Sequence, residues 1–340
     1  MLVAITGGTG FVGSHTVRAL VDAGHTVRAL VRDRAKLERV LGVHGLDMPE
    51  VIEGDMTDRG VVDQLVAGAE SVIHTAATVA FEPGLIEKMH ANNVAGVENV
   101  ISAALEAGAR SVVYTSSVAA LFHAGYPPIT IEDPIAEPDN PYGRAKADAE
   151  KLARRLQENS YGRLSILYPP GIIGPDDPAM SESNRAFLIY IRDWAPRTTG
   201  GMSLVDVRDV AEILVEVAER GGAERYLFSG AQLSWEEIAR AIGRVTQRHV
   251  KRVPLPPKLL RGAGRFFDSL KWIAPFDFPL TLETMTYATR WPGIVPSPAA
   301  ARLGHHYRTA DETIGDLTRW FHHGGHIDEA ARGALPAWKS

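Results

Sequence analysis

The chain has no cysteine among its 340 residues. That excludes disulfides, thiolate zinc centres and a cysteine nucleophile. A strong charge of either sign is also missing. Thirty-six basic and 41 acidic residues leave a net charge of −5, so nucleic acid is not an expected partner. No stretch reaches the roughly 18–20 consecutive apolar residues that a membrane-spanning helix needs. The N-terminus has no basic segment followed by a long apolar run, since Leu2–Ile5 is only of strand length. No signal peptide is therefore expected, and the cytosol is the default location. Internal repeats and low-complexity tracts are absent. What remains is ordinary globular composition, 45% hydrophobic, with length for a core and two domains.

The first half alternates strand-like runs with helical patterns. Val27–Val31, Val51–Glu53, Ser71–Thr75, Ser111–Thr115 and Arg163–Tyr168 read as strands. Ser14–Ala23, Arg34–Leu41, Arg59–Ala67, Leu85–Ala107 and Tyr142–Asn159 read as helices. Repeated strand–helix units with apolar strands predict an α/β fold, a Rossmann-type doubly wound parallel sheet. After Pro169 the alternation fades, and Val205–Glu219 and Arg225–Ser229 then return as helix and strand. The expected division is a dinucleotide-binding domain of residues 1–168 and 203–229 with a smaller, C-terminal substrate lobe of residues 169–202 and 230–340. The segment Pro254–Pro279 carries Leu259, Leu260, Phe266, Phe267, Leu270, Trp272, Ile273 and Phe276. Core packing is the favoured reading there, because apolar stripes at helical spacing usually mark core. An apolar substrate pocket and membrane contact are the alternatives.

Thr6-Gly-Gly-Thr-Gly-Phe-Val-Gly13 follows the first apolar run and opens a helix. Glycines at 7, 10 and 13 let a backbone approach a pyrophosphate, which the helix N-terminus then holds. Gly7, Thr9, Gly10, Phe11, Val12 and Gly13 are thus candidate cofactor ligands. At the end of the second strand Val31 stands where an acid would accept from the ribose 2′-OH of NAD, and Arg32 follows. An arginine suits the 2′-phosphate of NADP, although a solvated basic helix start has the same sequence. Asp33 could still take the acidic role one or two positions late. Asp55 fits an adenine contact, with Met56 packing on the ring, or equally a helix cap. His74-Thr75-Ala76-Ala77 ends the fourth strand with small residues that admit the cofactor's centre. His74 itself reads as packed or hydrogen-bonded rather than catalytic.

Tyr142 and Lys146 stand four apart, on one face of a helix. A phenol titrates near pH 10, and a neighbouring ammonium favours its ionised form. Such a tyrosine can exchange a proton with a substrate oxygen while hydride moves at carbon. Upstream, Tyr114-Thr-Ser-Ser117 ends the fifth strand at the carboxyl edge, where ligands bind in such sheets.

Together with Asn93-Val-Ala-Gly96, Asn99, Glu132-Asp133, Pro141-Tyr-Gly-Arg-Ala-Lys146 and Pro169 through Gly174-Pro175, these stretches resemble the extended short-chain dehydrogenase/reductase family. Within it, the Val-Arg-Asp end of the second strand looks like the dihydroflavonol reductase branch, which uses NADPH. The resemblance implies a triad in which Ser117 polarises the carbonyl, Tyr142 is the acid/base and Lys146 binds the nicotinamide ribose. It places Asn93 behind the site and Pro169 to Ile172 beside the nicotinamide, and it leaves Ser116 as an alternative to Ser117. In that family two long helices often form a dimeric four-helix bundle, so a homodimer is implied. The expectation is NADP-dependent hydride transfer on a carbonyl or secondary alcohol of an apolar or ring-shaped small molecule. Phe187, Tyr190, Trp194, Phe266, Phe267 and Trp272 suggest that substrate type. The alternatives are a sugar-nucleotide epimerase with tightly bound NAD and a redox-inert NADP-binding sensor. Tyr168 and Ile173 replace the Arg and Tyr of the epimerase pattern. Asp206 and Asp209 are expected to anchor the chain structurally. His305, His306, His322, His323 and His326 read as surface tail, with no metal site.

Overall fold

The computed structural model describes residues 1–76, 86–123, 127–137, 141–271 and 282–338. Seven strands form one wholly parallel sheet. They are β1 (Leu2–Thr6), β2 (Thr26–Val31), β3 (Glu50–Glu53), β4 (Ser71–His74), β5 (Ser111–Thr115), β6 (Leu164–Tyr168) and β10 (Arg225–Leu227). Their order is β10-β6-β5-β4-β1-β2-β3. The chain leaves β1 toward β2 on one side and returns at β4 on the other. The crevice between β1 and β4 is the topological switch point where such sheets bind ligands.

Helices cover both faces, so the inner strands are buried on both sides and read as continuous apolar runs. On one face α3 (Arg59–Val66), α4 (Ile86–Glu106) and α5 (Pro141–Glu158) pack Val62, Val97, Val100, Ala149 and Ala153 on Ala4, Val72, Val112 and Leu164. On the other, α1 (Phe11–Asp22), α2 (Arg34–Val43) and α7 (Val207–Arg220) pack Val17, Leu20, Leu37, Val210 and Leu214 on Val3, Ile5, Ala29 and Val113. The pleat of β1 explains the split, because Ala4 and its neighbours Val3 and Ile5 point to opposite faces.

The remaining strands make two small sheets. β7 (Gly171–Ile173) pairs parallel with β9 (Gly201–Asp206), and β11 (Ala231–Ser234) pairs antiparallel with β9. β8 (Ala195–Arg197) pairs with β12 (Arg252–Pro254). A third core joins α6 (Glu182–Arg192), α8 (Trp235–Thr246), α12 (Ala310–His323) and α13 (Glu329–Arg332) through Phe187, Ile191, Trp235, Ile238, Leu317, Phe321 and Ala331. The helices α9 (Pro257–Lys271) and α10 (Leu282–Arg290) lie against each other. The short α11 (Pro298–Leu303) packs on β10 in the cluster shared with α1 and α7.

Two differences from the sequence reading bear on how the site is built. The first helix begins at Phe11, not Ser14, because extended Gly10 serves as its N-cap and the glycine motif itself contains the first turn. The segment from Val205 is not helical at once. Val205 and Asp206 complete β9, and the Asp206 carboxylate caps α7 by accepting from the Arg208 N–H at 2.9 Å. The aromatic expectation also needs correction. Phe187 is fully buried, and partly buried Tyr190 meets both Phe187 and Trp235 edge-on, so this pair belongs to the third core. Trp272, Ile273 and Phe276 lie outside the described residues.

Candidate active site

The glycine motif forms a backbone cradle at the switch point. Gly7 has φ +84°, and a Cβ there would come within 2.6 Å of Thr75 Oγ1 and 2.7 Å of the Ala76 nitrogen. A Cβ on Gly13 would fall on the Gly7 carbonyl. Only glycine therefore allows the turn, α1 and the end of β4 to close on one another. The turn is pinned by Gly10 N–H donating to Gly7 O at 2.8 Å. Gly10 puts no side chain over the start of α1, so the helix presents its amides and positive dipole end to the crevice. This cradle fits a dinucleotide pyrophosphate. Thr9, Phe11 and Val12 belong to the same turn and first helical residues.

The ends of β2 and β3 bring Arg32 and Asp55 together, with Arg32 Nη1 3.9 Å from Asp55 Oδ2. The Arg32 side chain is 71% exposed. Asp33, the competing acid, is the N-cap of α2 and accepts from the Lys36 N–H at 2.9 Å. Asp55 Oδ1 accepts from both the amide and the hydroxyl of Thr57, at 2.9 and 2.8 Å. The cap of α3 is instead Asp58. Met56 packs against Gly96 of α4, where a Cβ would lie 2.6 Å from its sulfur.

At the end of β4, Thr75 Oγ1 donates to Thr6 O at 2.8 Å, and the Ala76 N–H reaches Thr6 Oγ1 at 3.4 Å. His74 is wholly buried, shares a 2.6 Å hydrogen bond between Nδ1 and Thr6 Oγ1, and stacks on Tyr114. Burial, and then the charge of Lys146, push its imidazole down to about 3. It is a neutral packed histidine, as its sequence position suggested. Lys146 stands on α5, and its charge adds to the burial that disfavours protonation of His74. Desolvation lowers the Lys146 ammonium from its usual value. Ala77 and the side chain of Tyr142 lie outside the described residues; the Tyr142 backbone stands in the first turn of α5.

The two serines at the end of β5 have different fates. Ser116 is buried and donates to Glu150 Oε2 at 2.6 Å. Glu150, fully buried one turn beyond Lys146 on α5, also accepts from Tyr168 OH at 2.5 Å and Arg154 Nε at 2.8 Å. Burial and the adjacent carboxylate push the Tyr168 phenol well above its ordinary value, so it stays a donor. Ser117 instead opens the 3-10 turn Val118–Leu121, with Oγ accepting from the Ala119 N–H at 3.2 Å. A hydroxyl that accepts there keeps its own proton for another acceptor. α5 packs on this turn. Val118 N–H donates to Pro169 O at 3.1 Å, which ties the Ser117 turn to the end of β6. Ile172 follows on β7, and Asn93 is buried on α4.

Glu150 is the residue that sequence reasoning missed. Its signal is the spacing, since Lys146 and Glu150 share a face of α5, together with the unexplained Tyr168. A second correction concerns His305, which is no surface tail. It is only 10% exposed, and its Nε2 lies 3.5 Å from Asp209 Oδ1. Asp209, Glu212 and His305 could converge on a cation, but Arg308 already pairs with both carboxylates. The group anchors α7, the role expected of Asp209. His306, His323 and His326 are exposed.

Residues 3–227 match the model of the NAD dependent epimerase/dehydratase family. The chain is 27% identical over 344 residues to a putative dihydroflavonol 4-reductase of Synechocystis sp., covering 95% of each. It is 30% identical over 287 residues to sterol demethylase protein B of Methylococcus capsulatus, covering 80% of this chain and 82% of that one. The fold is shared with a UDP-glucose-4-epimerase from Stenotrophomonas maltophila solved with bound NAD. There the TM-score is 0.74 at 18% identity, over 96% of this chain and 99% of that one.

Proposed function

Because the chain belongs to the NAD-dependent epimerase/dehydratase family, whose members here include reductases, we propose an NADP-dependent oxidoreductase. It moves a hydride between nicotinamide and a carbonyl or secondary alcohol of an apolar or ring-shaped small molecule. The observation that carries this reading is the placement of Lys146 and Ser117. The lysine charge acts on His74 at the β4 end that closes on the glycine cradle, and Ser117 follows the adjoining β5 end with its Oγ accepting from an amide and its hydroxyl proton left to donate.

NADP, when bound, supplies the hydride or takes it up. The turn from Gly7 through Thr9, Gly10, Phe11 and Val12 to Gly13 would hold its pyrophosphate. Asp55 and Met56 would meet the adenine, and Arg32 the 2′-phosphate. Thr75, Ala76 and Ala77 would flank its centre, with Pro169 and Ile172 beside the nicotinamide. Asp33 is occupied as a helix cap, which favours NADP over NAD. Ser117 donates to the substrate oxygen and fixes the carbonyl. Tyr142 exchanges the proton at that oxygen. Lys146 stabilises the phenolate and binds the ribose, and buried Asn93 supports it from α4. A lysine ammonium in this position lowers the phenol's proton affinity toward neutral pH.

Residues 1–168 and 203–229 would serve the cofactor, and 169–202 and 230–340 the substrate. The names of the two relatives, a putative dihydroflavonol 4-reductase and sterol demethylase protein B, support an apolar ring substrate. A homodimer through the adjacent α4 and α5 fits the same reading. The test is to denature the purified protein, identify any released dinucleotide, and assay NADPH oxidation against cyclic ketones and aromatic aldehydes. Turnover without stoichiometric bound NAD is expected. Stoichiometric NAD with UDP-glucose epimerisation would select the epimerase reading. NADPH binding with no turnover across the panel would select a redox-inert sensor.

A further inference from the structure

Helix α9 carries four basic residues, Lys258, Arg261, Arg265 and Lys271, against one acid, Asp268. It does so in a chain whose net charge is −5. One side of the helix is fixed inward. Arg261 Nη1 donates to Thr289 Oγ1 of α10 at 2.8 Å, and Gly264 is buried. At 100° per residue, the arc opposite Gly264 starts at Arg265, about 40° from Arg261, and runs through Lys258 and Gly262 to Phe266 and Leu259. All five are exposed. Leu259 is 66% and Phe266 62% exposed, making them two of the few large apolar side chains in the described residues that face water. They stand seven residues apart, two turns along a single edge. Lys258 and Arg265 have the same spacing one position earlier, along the adjoining edge.

We propose that this side of α9 docks on the surface of an anionic phospholipid bilayer. An apolar edge beside a basic edge suits an interfacial helix, with Leu259 and Phe266 sunk at the headgroup–acyl boundary and the cations held by phosphates. No helix among the described residues is long and apolar enough to cross a membrane, so the contact is peripheral. Charge decides against a second copy as the occupant. A two-fold pairing of this face would set Lys258 and Arg265 close to the same residues of the partner. The inference holds whatever reaction the site performs, and it takes up the membrane-contact alternative left open by the sequence for Pro254–Pro279 over the favoured reading of core packing.

The test is vesicle flotation of the full chain at 50 mM salt. Vesicles of phosphatidylcholine and phosphatidylglycerol (3:1) are compared with phosphatidylcholine alone. The chain should float with the anionic vesicles and bind the neutral ones at least about tenfold more weakly. Binding should fall at 500 mM salt. Leu259→Ser with Phe266→Ser, and separately Lys258→Glu with Arg265→Glu, should each cut binding about tenfold or more. Circular dichroism and NADPH affinity, which report on the fold and the cradle, should not change. No flotation of the wild type would overturn the proposal, as would a serine double variant that binds equally well. A dimer in size-exclusion chromatography that the serine substitutions dissociate would assign the face to a second copy instead.

Discussion

Ser116 and Ser117 are adjacent in the chain and chemically separated by Glu150. The carboxylate accepts a buried 2.6 Å hydrogen bond from the Ser116 hydroxyl, while Ser117 Oγ accepts from an amide and leaves its hydroxyl proton for another acceptor. The same carboxylate binds Tyr168 at the end of β6 and Arg154 on α5. One buried anion therefore fixes the relative positions of the three elements that carry Ser117, Lys146 and Pro169.

The two serines should respond differently to substitution. Ser117→Ala removes a donor to the reacting oxygen and should lower kcat roughly 100- to 1000-fold with little change in folding stability. Ser116→Ala leaves a buried carboxylate one donor short and should cost about 1–3 kcal/mol of stability. Urea unfolding and steady-state turnover of both variants check this. A Ser116→Ala protein that is stable and inactive would reverse the assignment.

Arg32 and Asp33 form a second such pair. Arg32→Ala should weaken NADPH binding about 10- to 100-fold, the loss of charge-assisted hydrogen bonds to a phosphate, and leave NADH nearly unchanged. Asp33→Ala removes the α2 cap and should cost about 1 kcal/mol without altering cofactor preference. Fluorescence titration with both nucleotides separates the two. Equal weakening of NADPH and NADH by Arg32→Ala would remove the NADP assignment.

Three buried histidines give stability a definite pH dependence. Desolvation leads in each case, holding His15 and His74 at about 3 and His44 at about 4. An unfolded imidazole titrates near 6.5. Below that pH the unfolded chain takes up protons that the folded chain refuses, so stability is full above about pH 6.5 and falls through the window down to about pH 3–4. Each histidine can contribute up to roughly 1.4 kcal/mol per pH unit there. Urea midpoints at pH 7.5 and 5 should show a marked drop at the lower value. An unchanged or higher midpoint at pH 5 would contradict the burial of these rings.

Much of this architecture was legible in the sequence, and the exceptions share a cause. Apolar runs alternating with helical periodicity located the seven central strands, because the inner strands are buried on both faces and their helices on one. Periodicity did not distinguish strand from helix at Val205, where apolar residues occur at spacings both elements use and Asp206 alone marks the boundary. The cradle was visible because glycine is the only residue that closes it. Glu150 was not. On an amphipathic helix a glutamate four residues after a lysine looks like a solvated ion pair, and only the β5 and β6 ends packed against it make it a buried acceptor. Phe187 and Tyr190 misled for the converse reason, since aromatic residues lining a pocket and filling a core have the same sequence pattern. His305 depended on Asp209, nearly 100 residues earlier in the chain, which local pattern does not reveal.

The central claim is hydride transfer with Tyr142 as the proton donor. The most direct test is NADPH consumption by wild type and Tyr142→Phe over a panel of cyclic ketones and aromatic aldehydes, with NADPH affinity measured in parallel. The account predicts wild-type turnover, a roughly 100- to 10,000-fold lower kcat in the variant, and nearly equal NADPH affinity in both. A Tyr142→Phe enzyme with near wild-type turnover would contradict it.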